Sequence, residues 1–152
     1  MTITVATPAE LAGKVGETAT GGWLSIDQQR IDAFAHATGD EQWIHVDPER
    51  AASGPFGATI AHGYLTLSLI PHLAGGLMAV ERLAMAVNYG LDRVRFLRPV
   101  TVGSRVRATI EITSAEESRQ GWRVGSRTTV EIEGSEQPAL VADTIALYVP
   151  ER

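Results

Sequence analysis

The sequence predicts an α+β fold: one domain, residues 1–152, in which an antiparallel sheet wraps around a buried helix. Two patterns predict it. Residues 61–70 are apolar on nearly every side, and a helix without a polar face belongs inside a protein. From residue 85 onward apolar and polar side chains alternate, which is typical of strands with one covered face. A length of 152 residues suits a single domain with a substantial core.

The N-terminal part of the chain predicts a short extended segment and an amphipathic helix. Residues 1–20 are small and polar with little pattern, so they predict either an arm or a short lead-in strand. Residues 23–26 are predicted to be extended. Apolar side chains then recur at helical spacing over residues 28–38. Asp27 is suited to cap the start of this helix, and Gly39 is suited to end it.

A turn-rich segment separates this helix from the buried one. Within it, Asp47 and Pro48 predict a short helix through Ala52, because aspartate caps helix starts and proline fits the first helical position. The apolar run follows. Pro71 has no N–H to donate to the carbonyl of Leu67, so it must kink the buried helix or mark its approaching end.

The C-terminal half of the chain predicts four long strands. Glycine and proline punctuate the connections between them, which are short enough for an antiparallel meander. The predicted strands cover residues 85–97, 105–114, 121–133 and 139–149.

Bulk composition narrows the classes of function. The net charge of -5 offers no basic surface for nucleic acid or an anionic membrane, so neither is an expected partner. The chain has no cysteine, which excludes disulfides, thiolate metal sites and thiol nucleophiles. It has neither a signal-peptide pattern nor an apolar run of about 18 residues, so we expect a soluble, cytoplasmic protein.

Two polar side chains in the turn-rich segment are candidates for acid–base chemistry. Asp40 stands just past the end of the first helix, and His45 follows five residues later, both on a predicted loop. A carboxylate and an imidazole placed there could share one water and supply a base and an acid near neutral pH. The alternative is that Asp40 only caps a turn and that His45 is a surface histidine.

The start of the buried helix offers a candidate site for a developing negative charge. The first N–H groups of a helix have no partner inside it, so the N–H of Gly63 could bind the oxygen of an enolate. Gly63 could equally be an ordinary glycine at a helix start. For His62, a structural role that orients the loop or packs in the core is favoured over a role in binding.

The remaining histidines and glycines indicate no cofactor. His36 is expected to be solvated, and His72 is expected at a helix end. The four histidines lack the spacing of a metal motif, and no glycine-rich nucleotide motif is present. We therefore expect neither a metal nor a nucleotide cofactor.

Taken in order, these motifs resemble those of a known family, the MaoC-like dehydratases, which include the R-specific enoyl-CoA hydratases (hydratase 2). The family motif has an Asn-Pro pair where this chain has Gln42-Trp43. The resemblance covers roughly residues 20 to 149. The segments DEQWIHVDPERAASGPFGATIAHG and VNYGLDRVRF resemble those of actinobacterial single-domain members. The matching residues are Gly39, Asp40, Ile44, His45, Ala61, His62 and Gly63.

The resemblance implies a hot-dog fold, in which a sheet wraps around a long central helix, and a homodimer. It implies hydration of a trans-2-enoyl thioester of coenzyme A or acyl carrier protein to an R-3-hydroxyacyl thioester, with no cofactor beyond the substrate's own coenzyme A. Asp40 and His45 would be the catalytic pair, and the N–H of Gly63 would bind the enolate oxygen.

The same resemblance suggests further residues that bind substrate. The acyl chain would lie along the central helix, in a tunnel closed by Tyr64, Leu65, Ser68 and the region 75–80. Arg93 and Arg95 share one strand face and could meet coenzyme A phosphates, although a solvated strand face explains them equally well. The expected substrate-binding residues are His62, Tyr64, Asn88, Arg93 and Arg95, with Asn88 and the neighbouring Tyr89 on a strand that lines the site.

Two other functions are compatible with this fold. One is a thioesterase. Thioesterases with a wrapped helix usually place a carboxylate on or near that helix, and residues 63–74 contain no Asp or Glu, which argues against this function. The other is an acyl-binding partner subunit without activity. Such subunits resemble this family but lack the Asp and His, which are both present here and argue against it.

Overall fold

The structure is a computed structural model that describes all residues from 1 to 152. Its N-terminal part comprises strand β1 (Ile3–Val5), a 3-10 helix (Pro8–Lys14), strand β2 (Thr18–Thr20) and strand β3 (Leu24–Ser25). Of the two alternatives for residues 1–20, the lead-in strand is confirmed and the arm is wrong. The reason is burial, since these elements insert four apolar side chains into a core: Ile3, Val5, Leu11 and Ala19.

Helix α1 (Gln28–Thr38) has the bounds and the caps that the sequence predicts. The Asp27 carboxylate accepts a hydrogen bond from the N–H of Arg30 at 2.8 Å. Gly39 adopts a left-handed conformation with φ 82°, and its N–H donates to the carbonyl of Ala35.

Two short helices follow, α2 (Trp43–Val46) and α3 (Pro48–Ala52). Helix α3 is the one predicted, with Asp47 as its cap. Helix α2 was not predicted, so the placement of His45 on a loop is wrong. The N–H of His45 donates to the carbonyl of Gln42 at 3.0 Å, and that of Asp47 donates to the carbonyl of Trp43 at 3.1 Å, which closes one helical turn.

The buried helix is divided into α4 (Gly63–Ser68) and α5 (Ile70–Leu73). The prediction of one long helix is therefore only partly right. The backbone continues through Leu69, whose N–H donates to the carbonyl of Leu65 at 2.9 Å. Pro71 accounts for the division, because it has no N–H to offer the preceding turn.

The remaining chain forms strands β4 (Met78–Val80), β5 (Leu83–Phe96), β6 (Arg105–Ser118), β7 (Gly121–Ile132) and β8 (Leu140–Pro150). The large sheet has the order β2-β6-β7-β8-β5, with β3 also on β6, while β1 and β4 form a parallel pair. The four predicted strands are confirmed, but the simple meander is wrong. Strand β5 pairs with β8 at the far edge and not with β6, its neighbour in sequence.

The main core lies between the central helices and the sheet. Apolar side chains of α4 and α5 meet inward-facing side chains of β6, β7 and β8, so the sheet wraps around the helices as predicted. The central helices and their junction contribute Leu65, Leu69, Ile70 and Leu73 to this core, and α1 contributes Ile31.

No helix of the chain is both long and apolar enough to cross a membrane.

Candidate active site

The fold brings Asp40 and His45 together. The left-handed Gly39 turns the chain at the end of α1 and leaves Asp40 exposed, whereas α2 carries His45 inward, where its side chain is 6% exposed. One side-chain oxygen of Asp40 and one ring nitrogen each of His45 and His62 all lie within 4.8 Å of one another. That separation suits a single water held between a carboxylate and an imidazole.

The ring of His45 is held in one orientation by the backbone. Its Nδ1 lies 2.7 Å from the carbonyl oxygen of Ile60. Since a carbonyl only accepts, Nδ1 carries a proton, and the neutral ring presents Nε2 as a lone-pair acceptor. Gln28 on α1 donates to the carbonyl of His45 at 2.7 Å and accepts from the hydroxyl of Thr59, which fixes α2 against α1.

His62 touches both members of the pair. Its ring stacks on that of His45, and its Nε2 donates to the backbone carbonyl of Asp40 at 2.9 Å. The side chain is 2% exposed, and its Nδ1 is enclosed without a hydrogen-bond partner. These contacts with protein groups favour the orienting role for His62.

The same three side chains are the ones that could offer ligands to a metal ion. The rings of His45 and His62 lie 23° from parallel, so their in-plane lone pairs do not converge as the ligands of a tetrahedral zinc site do. The expectation of a site without a metal stays a prediction.

Gly63 begins α4 and lines a cavity of about 320 Å³ together with His45 and Arg98. As the first helical residue, Gly63 has an N–H with no partner inside the helix. A Cβ at this position would lie 3.1 Å from ring carbons of Phe96, so the close approach of the ring favours glycine. Asp40 does not line this cavity and reaches the site from its exposed side.

A second cavity, of about 660 Å³, lies between the central helices and the strands β5, β7 and β8. Asn88 and Tyr89 line this cavity and not the one beside His45, as do Ser68 and several residues of the region 74–78. Burial raises the pKa of Tyr148, which also lines it.

Three of the expected substrate-binding residues lie outside both cavities. Tyr64 is 69% exposed, and its ring meets Phe96 edge-on at 6.1 Å between centroids. Arg93 and Arg95 are exposed on β5 and form no salt bridge. Their binding role stays a prediction.

The structure adds residues that sequence reasoning missed. Arg98 beside the small cavity had no pattern to mark it, and the Gln28–Thr59 contact joins residues 31 apart. Ser126 and Thr128 line the large cavity, and alternation with Val124 and Val130 on β7 could have placed them on the inner face.

Gln42-Trp43, which replaces the Asn-Pro pair of the family motif, packs against neighbouring residues of the same segment. Gln42 precedes α2 in an extended conformation, and Trp43 begins the helix. The guanidinium of Arg50 lies 4.3 Å from the centre of the Trp43 ring, and Gly54 packs so closely on that ring that a Cβ would meet it at 3.1 Å. The replacement therefore leaves His45 on a well-packed turn.

Comparisons with known proteins give one consistent relationship. Residues 10–134 match the family model described as a MaoC like domain. The chain is 52% identical over 143 residues to the 3-hydroxyacyl-thioester dehydratase Z of Mycobacterium tuberculosis, covering 93% of this chain and 95% of that protein.

Solved structures share the same fold. The unliganded R-hydratase PhaJ1 from Pseudomonas aeruginosa superposes with a TM-score of 0.77 and 26% identity, over 97% of this chain and 87% of that one. The (R)-hydratase from A. caviae, described as involved in PHA biosynthesis, gives a TM-score of 0.72 and 26% identity, over 90% and 96%. The hot-dog fold that the sequence predicts is confirmed.

Proposed function

We propose that this chain, which belongs to the MaoC-like domain family, is a hydro-lyase that adds water to trans-2-enoyl thioesters and forms R-3-hydroxyacyl thioesters. One observation carries the proposal. A carboxylate of Asp40 and a fixed imidazole of His45 lie within 4.8 Å of each other, and the free N–H of Gly63 borders the same cavity as His45. Those are the groups that a hydration needs.

The relatives support the reaction class and its stereochemistry. A dehydratase of 3-hydroxyacyl thioesters and two R-hydratases catalyse the two directions of one reversible reaction. The substrate of this chain is accordingly an enoyl thioester of coenzyme A or of acyl carrier protein in fatty acid metabolism. The proposal places the reaction in a single domain, residues 1–152, and in the cytoplasm.

The reaction begins with one water held between Asp40 and Nε2 of His45. The Asp40 carboxylate takes a proton from this water while the oxygen of the water attacks C3 of the enoyl group. Electrons move from the double bond to the thioester oxygen, and the N–H of Gly63 stabilises the resulting enolate. One such donor contributes about 3 kcal/mol to the transition state.

The proton that Asp40 took up then reaches C2 from the same face, relayed through Nε2 of His45 or delivered by the pair acting together, and the carboxylate is regenerated. The hydroxyl on C3 and the hydrogen on C2 therefore add syn. The thioester itself acidifies C2, so the proposed chemistry uses no metal and no cofactor other than the coenzyme A of the substrate.

A homodimer is part of the proposal, and strand β5 is its expected contact. This strand lies at the edge of the sheet and pairs only with β8. It exposes a row of apolar side chains and an unpaired backbone edge, which favours pairing with a second copy. The exposed apolar side chains of β5 are Met85, Val87, Tyr89, Leu91 and Phe96.

The dimer can be tested by the mass in solution of two charged variants. Leu91→Lys on β5 is expected to give a monomer, because lysine opposes edge pairing. Val15→Lys is the matched control, since the two side chains are 48% and 50% exposed and Val15 lies outside the strand. A dimer that survives Leu91→Lys, or a wild-type monomer, would contradict this part of the proposal.

The catalytic proposal is tested with purified protein and crotonyl-CoA. We expect loss of the enoyl absorbance and a product that an R-specific, but not an S-specific, 3-hydroxyacyl dehydrogenase oxidises. Absence of hydration would refute the proposal. Release of free coenzyme A in place of hydration would point to a thioesterase.

A further inference from the structure

The large cavity has a polar floor. It is enclosed by α4, α5 and β5 on one side and by the inner faces of β7 and β8 on the other. Most of its lining is apolar or glycine, yet Ser126 and Thr128 project from β7 into the interior of the molecule. Their side chains are almost fully buried, with exposed fractions of 9% and 1%.

These two hydroxyls make no hydrogen bond within the protein. The neighbouring Thr144 donates to the backbone carbonyl of Ser126 at 3.2 Å and is satisfied. The hydroxyls of Ser126 and Thr128 have no such partner. They are not sealed inside the protein either, since only Nδ1 of His62 is both fully enclosed and without a partner. The two hydroxyls are therefore open to the cavity that their residues line. Burying a hydroxyl without a partner is unfavourable, so a ligand group that bonds to it is favoured.

The cavity is placed where an acyl chain would run. Gly63 and Thr66 on α4 line the small cavity with His45, and Leu67 and Ser68 on the same helix line the large one. At a rise of about 1.5 Å per residue, Ser68 lies roughly 7.5 Å beyond Gly63 along the helix. If the thioester carbonyl lies at Gly63, as the proposed function requires, the middle of the acyl chain comes to the large cavity.

The lining also selects the kind of polar group. No charged side chain lines the large cavity, so it offers no counter-ion to a carboxylate or an amine. Hydroxyls both donate and accept, and they therefore suit a neutral oxygen such as a hydroxyl or a ketone.

We propose that the large cavity binds an acyl chain with a neutral oxygen function in its middle, and that Ser126 and Thr128 hydrogen-bond to that oxygen. This inference rests on the proposed function and narrows it. The preferred substrates are mid-chain hydroxy or keto enoyl thioesters, in preference to plain alkyl ones.

The test compares unsubstituted trans-2-decenoyl-CoA with the same thioester carrying a hydroxyl at one carbon from C6 to C8. We expect the wild type to have a higher kcat/KM for at least one hydroxylated substrate. In the double variant Ser126→Ala, Thr128→Val, the ratio of kcat/KM between that substrate and the unsubstituted one is expected to fall about tenfold. Each single variant is expected to lose part of the ratio, which keeps the test valid if the double variant does not fold.

Thr129→Val is the matched control, because Thr129 follows Thr128 on β7 but faces the opposite side of the sheet. It should leave the ratio unchanged. A wild type that favours no hydroxylated substrate, or a ratio that the Ser126 and Thr128 variants do not change, would refute the inference and indicate that the hydroxyls hold only water. Failure of the wild type to hydrate even the unsubstituted thioester or crotonyl-CoA would instead refute the proposed function, and this inference with it.

Discussion

The imidazole ring of His62 stacks on the ring of His45, with centroids 3.8 Å apart and planes 23° from parallel. The same ring donates to the backbone carbonyl of Asp40. One buried side chain therefore connects the two groups of the proposed catalytic pair. The stacked ring of His62 also packs against the face of the His45 ring and limits its movement.

His62→Phe is predicted to keep the stacked ring and to lose the hydrogen bond to the backbone carbonyl of Asp40. Because the backbone that carries the Asp40 carboxylate is then held less firmly, kcat for crotonyl-CoA should fall about 10- to 100-fold with little change in KM. Steady-state kinetics measure this, and circular dichroism checks the fold. His36→Phe is the control, since the His36 side chain is 91% exposed. A fully active His62→Phe enzyme would show that the hydrogen bond from His62 to Asp40 has no part in the reaction.

Two substitutions of Gly63 distinguish the contribution of its N–H to catalysis from the need for a residue without a side chain beside Phe96. Gly63→Pro removes the N–H at the first helical position, which tolerates proline, and His62 has the extended ψ of 139° that a residue before proline needs. We predict a loss of about 10²- to 10³-fold in kcat. Gly63→Ala keeps the N–H and adds only the Cβ that approaches Phe96, so its loss should be much smaller. Equal losses in the two variants would assign the effect to crowding.

Arg98 is predicted to bind a phosphate of coenzyme A. It is exposed beside the cavity that His45 and Gly63 line. Arg98→Ala should raise KM for crotonyl-CoA about tenfold, because a charge-assisted hydrogen bond is lost. The KM for crotonyl-N-acetylcysteamine, which has no phosphate, should not change. Arg119→Ala controls for net charge, and the same pair of substrates tests Arg93 and Arg95.

The half-buried Tyr148 predicts a loss of stability at alkaline pH. Its folded-state pKa is raised above the usual value of 10.0 by burial, so the folded chain keeps a proton that the unfolded chain has lost. The free energy of unfolding should therefore fall as the pH rises above about 10, through the folded-state pKa. Urea unfolding at several pH values measures this slope. Tyr148→Phe should reduce the slope, whereas Tyr64→Phe, at an exposed side chain, should not.

Local chemistry made much of the fold predictable. The caps of α1 and α3 and the four long strands depend on residues close in sequence, such as Asp27, Gly39 and Asp47. The order of the strands does not, because alternation identifies a covered face and leaves the choice of neighbour open. That is why β5 was not predicted to pair with β8.

The candidate site divides in the same way. Asp40 and His45 are five residues apart and could be paired from their spacing and the family motif. The contact between His62 and Asp40 spans 22 residues, and it depends on how α4 docks against the end of α1. Alternation along β7 could have placed Thr128 on an inner face, but only the packed structure shows that its hydroxyl opens into a cavity.

The central claim is that Asp40 is the base that activates water, and one comparison tests it most directly. The rate of crotonyl-CoA hydration is measured for the wild type, Asp40→Asn and Glu41→Gln. Each variant replaces one carboxylate by an amide, at adjacent positions in the chain. Since Asp40 is exposed, its amide variant should fold normally and lose about 10²- to 10⁴-fold in kcat, while Glu41→Gln keeps the wild-type rate. An Asp40→Asn enzyme as active as Glu41→Gln would contradict the account.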